Sequence, residues 1–143
     1  MKRRVVVTGL GIVSPLGSGV DHVWESITNG KSGLRKVDHI DLSDMPCQIA
    51  GVVPRGDGSD GTFDVDAYVD KKEQRKMDTF ITYGMAAGIQ AVEDSGWTPS
   101  GEEDLNRTGV IIGSGIGGLP GIADGTTLLN DRGPRRISPF FIP

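Results

Sequence analysis

The chain has 143 residues, 36% of them apolar, with 22 glycines and a formal net charge of −4, the length of one ordinary domain. Glycine is about twice as frequent as the ~7% norm and follows no repeat period, which excludes collagen and low-complexity sequence. The mild acidity gives no basis for bulk nucleic-acid binding, and no apolar run reaches the ~18 residues of a membrane span. Met1-Lys2-Arg3-Arg4 starts basic, but the apolar stretch after it is short and broken by glycines, unlike a signal peptide. A single cysteine, Cys47, cannot form an internal disulfide. A cytoplasmic location is the expectation.

Taken in chain order, Val5-Val6-Val7 runs into Thr8-Gly9-Leu10-Gly11 and reads as a strand buried on both faces, ending in a glycine turn. Ser14-Pro15-Leu16-Gly17-Ser18-Gly19 is turn chemistry, and Ser18 or Asp21 is placed to cap a short helix ending at Asn29-Gly30. An edge strand is expected over 48–53, followed by an exposed Gly/Asp-rich loop over 54–61. The 3–4 spacing of Met77, Phe80, Ile81, Gly84, Met85, Gly88, Ala91 and Val92 predicts one long helix over 71–95, with Gly96 as its terminator. Gly84, Ala87, Gly88 and Ala91 give that helix a small-residue face for close packing. A polar loop over 98–107 precedes a second β-branched strand over 108–113, which runs into Gly113-Ser114-Gly115-Ile116-Gly117-Gly118. A helical stretch near 121–130 and a turn at 130–134 follow. The chain closes on Ser138-Pro139-Phe140-Phe141-Ile142-Pro143, apolar where most termini are polar, so a sequence cut short is expected.

The glycine turns invite a nucleotide reading, and the residues argue against it. Gly9-Leu10-Gly11-Ile12-Val13-Ser14 has serine at the third glycine position of a dinucleotide fingerprint, with Pro15 where the helix should start. Gly113–Gly118 lacks the Lys-Ser/Thr ending of a phosphate loop. Cys47, His22 and His39 are the only candidates for thiol–imidazole chemistry. No helix start follows Cys47 to lower its pKa, and His22 falls in a helix's first turn. Their spacing does not suit zinc. What remains is charge. Lys71, Lys72, Arg75 and Lys76 form one basic stripe, with 72, 75 and 76 on one helical face, and Arg132, Arg135 and Arg136 form another. Two such patches on an acidic chain can orient an acidic partner.

Several segments together resemble one family. Lys2–Gly11 with Ser14-Pro15-Leu16-Gly17, then Lys72–Asp78, Ile112–Gly118 and Gly133–Phe141 follow the order of motifs in the β-ketoacyl-acyl carrier protein synthases of type II fatty acid synthesis. Ser14-Pro15 and Phe140-Phe141 look more like the synthase II branch than synthase I. The loop near 54–63 is longer than in familiar members. The resemblance implies an α/β fold, the amino-terminal part of a thiolase-like α/β/α/β/α arrangement, over 1–143. It implies elongation of fatty acyl chains by decarboxylating Claisen condensation with malonyl-acyl carrier protein, without a cofactor or metal. The family's catalytic cysteine and histidines match no position here, so no catalytic residue is expected in this chain and the isolated chain is expected to be inactive.

Some positions carry over by motif. Ile116 matches a residue lining the acyl pocket, and Phe141 an aromatic that reaches into the partner subunit's pocket in a homodimer. Lys72, Arg75, Lys76, Arg135 and Arg136 match residues that meet acyl- or malonyl-loaded acyl carrier protein. The alternative is a non-catalytic module for carrier docking or dimer support. Membrane and nucleic-acid partners are not expected.

Overall fold

A computed structural model describes residues 3–141. The chain divides into two compact units, Met1–Val65 with Ala86–Trp97, and Asp66–Met85 with Thr98–Pro143. In the first unit, Ser14-Pro15-Leu16-Gly17 closes a two-residue hairpin between β1 (Val13–Ser14) and β2 (Gly17–Ser18). Ser14 Oγ accepts from the Leu16 amide at 3.2 Å, holding the turn. This hairpin stands where a dinucleotide fold would start its helix. Helix α1 (Val20–Thr28) follows after Gly19, which carries no side-chain cap. Of the two expected caps, Ser18 is engaged elsewhere, its Oγ accepting from Gln90 Nε2 at 3.0 Å, and Asp21 lies inside the first turn. Val23, Val37, Phe63 and Ala86 are the buried apolar side chains of this unit.

The edge strand is found as β4 (Ile49–Gly51), paired antiparallel with β3 (Leu34–Lys36) in the register Leu34↔Gly51, Lys36↔Ile49. Residues 34–36 carry no period-2 pattern, so composition gives no sign of this partner strand. The loop after β4 is largely exposed, as expected, with a 3-10 turn at Ser59–Gly61 and a lone bridge between Arg55 and Phe63.

In the second unit, the long helix over 71–95 is in fact two helices, α2 (Lys71–Gln74) and α3 (Thr79–Ser95). The first half of α3 belongs to this unit and the second half to the other. Gly96, at φ +64°, ends α3 as anticipated. The polar 98–107 segment contains a helix, α4 (Glu102–Arg107), with Glu102, Glu103 and Asp104 at its positive end and Arg107 at its negative end. Helix α5 (Leu119–Arg132) starts and ends two residues outside the expected stretch and absorbs the start of the expected turn.

The two β-branched runs are not strands here. Among the described residues, 5–7 and 108–113 join no ladder, and Val5 and Ile111 are 94% and 99% exposed. A β-branched run becomes a strand only when a neighbour supplies its hydrogen bonds, and the described pairings are the β1–β2 and β3–β4 pairs and the Arg55–Phe63 bridge. Residues 9–12 take their bonds from a helix instead. The Leu10 amide donates to Asp94 Oδ2 at 2.8 Å, and the Ile12 amide to Gln90 Oε1 at 2.9 Å. Alternate amides of an extended segment are about 6.6 Å apart, and helix positions four apart are about 6 Å apart. The two periods match closely enough for each second amide to find the next turn's side chain.

That contact admits no side chain on the inner edge. A Cβ at Gly11 would collide with the Ala87 carbonyl and lie 2.8 Å from the Ala91 nitrogen; one at Gly9 would lie 2.5 Å from the Ser95 nitrogen. The small-residue face therefore packs closely, as its composition predicts, at Ala87 and Ala91. Gly11→Ala is expected to cost about 1–3 kcal/mol through backbone displacement. Denaturant unfolding of the variant checks this.

Candidate functional site

The basic stripe sits in the second unit, on a short helix held at its start. Asp70 caps α2 by accepting from the Lys72 amide at 2.8 Å. Asp66 takes Gln74 Nε2 at 2.8 Å and lies 3.1 Å from Lys71 Nζ. The Gln74 hydrogen bond, followed by that of Lys71, holds the Asp66 carboxyl below its ordinary range. Lys71 is thereby paired with the turn that precedes its helix. Lys72 and Arg75 are exposed and carry no ion pair among the described residues.

Asp78 stands in the break, just before α3. Its Oδ1 accepts from the Thr79 amide at 2.6 Å at the start of α3. Its Oδ2 accepts from the Gly121 amide at 3.2 Å in the first turn of α5. One carboxylate thus serves the positive ends of two helices. Neither contact is visible in the sequence, although an aspartate before Thr-Phe-Ile-Thr is a usable helix-start signal.

The glycine cluster over 113–118 divides into two parts. Gly113 and Gly115 face open space. Gly117 lies against the Phe80 ring, where a Cβ would come within 2.6 Å of a ring carbon, and Gly118 has φ +76° as it enters α5. Ile116, between them, is 80% exposed. Further on, Arg135 and Arg136 lie exposed in the 3-10 turn Pro134–Arg136 and also carry no ion pair among the described residues. The chain then turns at Ser138, whose carbonyl accepts from the Phe141 amide at 3.0 Å. Phe141, 38% exposed, lays its ring on Gly125 of α5. Phe140 lies under Lys76, whose ammonium is 5.8 Å from the ring centroid. Of the predicted residues, Lys76 and the Phe140-Phe141 segment are brought together directly.

The nucleophile candidates form no constellation. Cys47 is exposed, its thiol 3.5 Å from the Ile49 carbonyl. The His22 ring lies against the Gly61 backbone with Nε2 3.2 Å from the Leu16 carbonyl, and His39 lies beside Asp38. Among the described residues no three His, Cys, Asp or Glu side chains are grouped to hold a metal ion. No helix among them is long and apolar enough to cross a membrane.

Comparison with known proteins decides the family. Residues 2–143 match the beta-ketoacyl synthase N-terminal domain. The chain belongs to the beta-ketoacyl synthase family. It is 55% identical over 141 residues to 3-oxoacyl-[acyl-carrier-protein] synthase 2 of Rhizobium meliloti (strain 1021), covering 99% of this chain and 34% of that protein. It is 49% identical over 142 residues to the synthase 2 of Vibrio cholerae serotype O1 (strain ATCC 39315 / El Tor Inaba N16961), covering 99% and 32%. Among solved structures it resembles the ishigamide ketosynthase/chain length factor, with TM-score 0.74 and 26% identity over 99% of this chain and 33% of that one. The chain spans about a third of the length of these relatives. Its fold is that of the amino-terminal part of a ketosynthase, α/β and thiolase-like.

In this ketosynthase chain Gly117→Ala is expected to destabilise by about 1–3 kcal/mol, because Phe80 and Ser114 occupy the space. Thermal unfolding of the variant measures this.

Proposed function

We propose that this chain is the amino-terminal part of an elongating 3-oxoacyl-[acyl-carrier-protein] synthase, and that it contributes the carrier-docking face and part of the acyl-pocket wall. The supporting observation is the match over residues 2–143, with relatives of that name up to 55% identical across nearly the whole chain. The reaction joins an acyl group, held as a thioester on an enzyme cysteine, to malonyl-carrier protein. Loss of CO₂ from the malonyl group leaves an enolate that attacks the acyl carbonyl, and the cysteine thiolate departs as the new carbon–carbon bond forms. In this reading none of those bonds is made by a residue of residues 1–143, and the chain without further polypeptide is inactive.

What these residues supply is recognition. Lys72, Arg75, Arg135 and Arg136 are exposed cations with no ion pair among the described residues. On a chain of net charge −4 they form a local positive field suited to an acidic carrier surface, raising the rate and fixing the orientation of encounter. Ile116, set between Gly115 and Gly117, borders the acyl chain, and Phe141 contributes to the pocket across a homodimer interface. The substrate carriers are acyl- and malonyl-loaded acyl carrier protein.

Charge reversal tests the docking assignment. An exposed ion pair contributes about 0.2–1 kcal/mol, so Arg75→Glu with Arg135→Glu should weaken carrier binding several-fold. The dependence of affinity on salt should flatten, and the condensation rate at saturating carrier should be little changed. Titration of the full-length protein with carrier protein at several salt concentrations reads this. Unchanged affinity would overturn the docking role.

A further inference from the structure

Helix α5 begins without a cap of its own. Its N-cap is Gly118, which has no side chain, and its first turn holds no acidic residue. The Gly121 amide, of the kind an N-cap side chain ordinarily takes, is held instead by Asp78 Oδ2 at 3.2 Å, from the start of α3. Asp78 is half-buried, and its other oxygen accepts from the Thr79 amide at 2.6 Å. Glycine lets the carboxylate approach, since a Cβ at Gly121 would lie 3.3 Å from Oδ2. The start of α3 also seats the loop that leads into α5. The Phe80 ring lies against Gly117, and the Ile112 side chain lies over Gly84, 3.6 Å from where a Cβ would stand. The 113–118 loop thus has both its feet on α3, with Ile116 exposed between them.

We infer that Asp78 is a positioning residue for acyl selection: it caps α5 from outside that helix, fixes where the helix starts, and so sets where the Ile116 side chain stands. This rests on the reading of Ile116 as part of the acyl-pocket wall. Only Gly117 and Gly118 separate Ile116 from the first residue of α5, so a shift of the helix start reaches it directly. An apolar pocket distinguishes substrates that differ by one methylene by about 10- to 200-fold. A wall residue displaced by a fraction of that length is therefore read as a several-fold change in acyl-length preference.

The test compares a long and a short acyl group on the same carrier protein, so that docking cancels in the ratio of their kcat/KM values. In the full-length protein, Asp78→Asn offers one acceptor oxygen to two amides. It is expected to speed hydrogen exchange at the Gly121 amide about tenfold and to change the long-to-short ratio several-fold. Asp78→Glu keeps the charge but carries the carboxylate one methylene further, and should shift the ratio likewise. Ile116→Ala should change the ratio by itself, and adding Asp78→Asn to it should leave the ratio at the Ile116→Ala value. A general loosening of the fold would instead lower both kcat/KM values together, in both backgrounds, and that outcome would overturn the assignment. So would a ratio unchanged in both Asp78 variants while Ile116→Ala shifts it, or Gly121 exchange unchanged by Asp78→Asn. If Ile116→Ala itself left the ratio unchanged, the acyl-pocket reading would fall and this inference with it.

Discussion

The first unit depends on a segment of bare backbone laid along a helix. Residues 9–12 approach the second half of α3 so closely that the two glycines leave no room for a Cβ. Asp94 and Gln90, one helical turn apart, then reach the Leu10 and Ile12 amides. The Ile12 bond is partly buried, so leaving that amide unmet would cost on the order of 1 kcal/mol, while the Leu10 bond faces solvent. Gln90 serves twice, also donating to Ser18 Oγ, which ties the β2 end of the hairpin to the same helix. The hairpin in turn holds β3, because Arg35 Nη2 donates to the Pro15 carbonyl at 2.8 Å.

In the second unit the equivalent organiser is a charge. Asp78 bonds to the amides at the starts of α3 and α5, between the exposed cations and the glycine turn. Lys72 and Arg75 precede it without an ion pair among the described residues, while the ring of Phe80, two residues on, lies against Gly117 beside the exposed Ile116. Fixing one carboxylate between two helix starts keeps these groups in register. The cations differ in their local partners: Asp66 lies beside Lys71, and Glu73 and the Phe140 ring lie beside Lys76.

The sequence made the local features legible and left the long-range ones hidden. Helix α1, strand β4 and helix α5 announce themselves by periodicity and by turn residues at their borders, and Gly96 marks the end of α3. Helix α4 carried a signal that polarity masked, acids first and Arg107 last. Apolar spacing runs through the break between α2 and α3, where the mark is Asp78 before Thr79, and its bond to Gly121, 43 residues away, has no sign in the sequence. The runs at 5–7 and 108–113 have strand composition, yet a strand exists only in its pairing, and their described surroundings offer none. For the site, composition showed the charges, and the family resemblance supplied the use proposed for them. Helical spacing placed Lys72, Arg75 and Lys76 on one face, but α2 ends at Gln74. Lys76 therefore follows Phe140, a contact between residues distant in sequence that spacing cannot express.

The most direct measurement of this account is amide hydrogen exchange at Leu10 and Ile12 in the full-length protein, with and without Gln90→Ala. Helix side chains as the acceptors predict that Ile12 loses its protection in the variant while Leu10, bonded to Asp94, largely keeps its own. Equal protection of Ile12 in both proteins would show that some other group holds that amide, and would contradict the seating of residues 9–12 on α3.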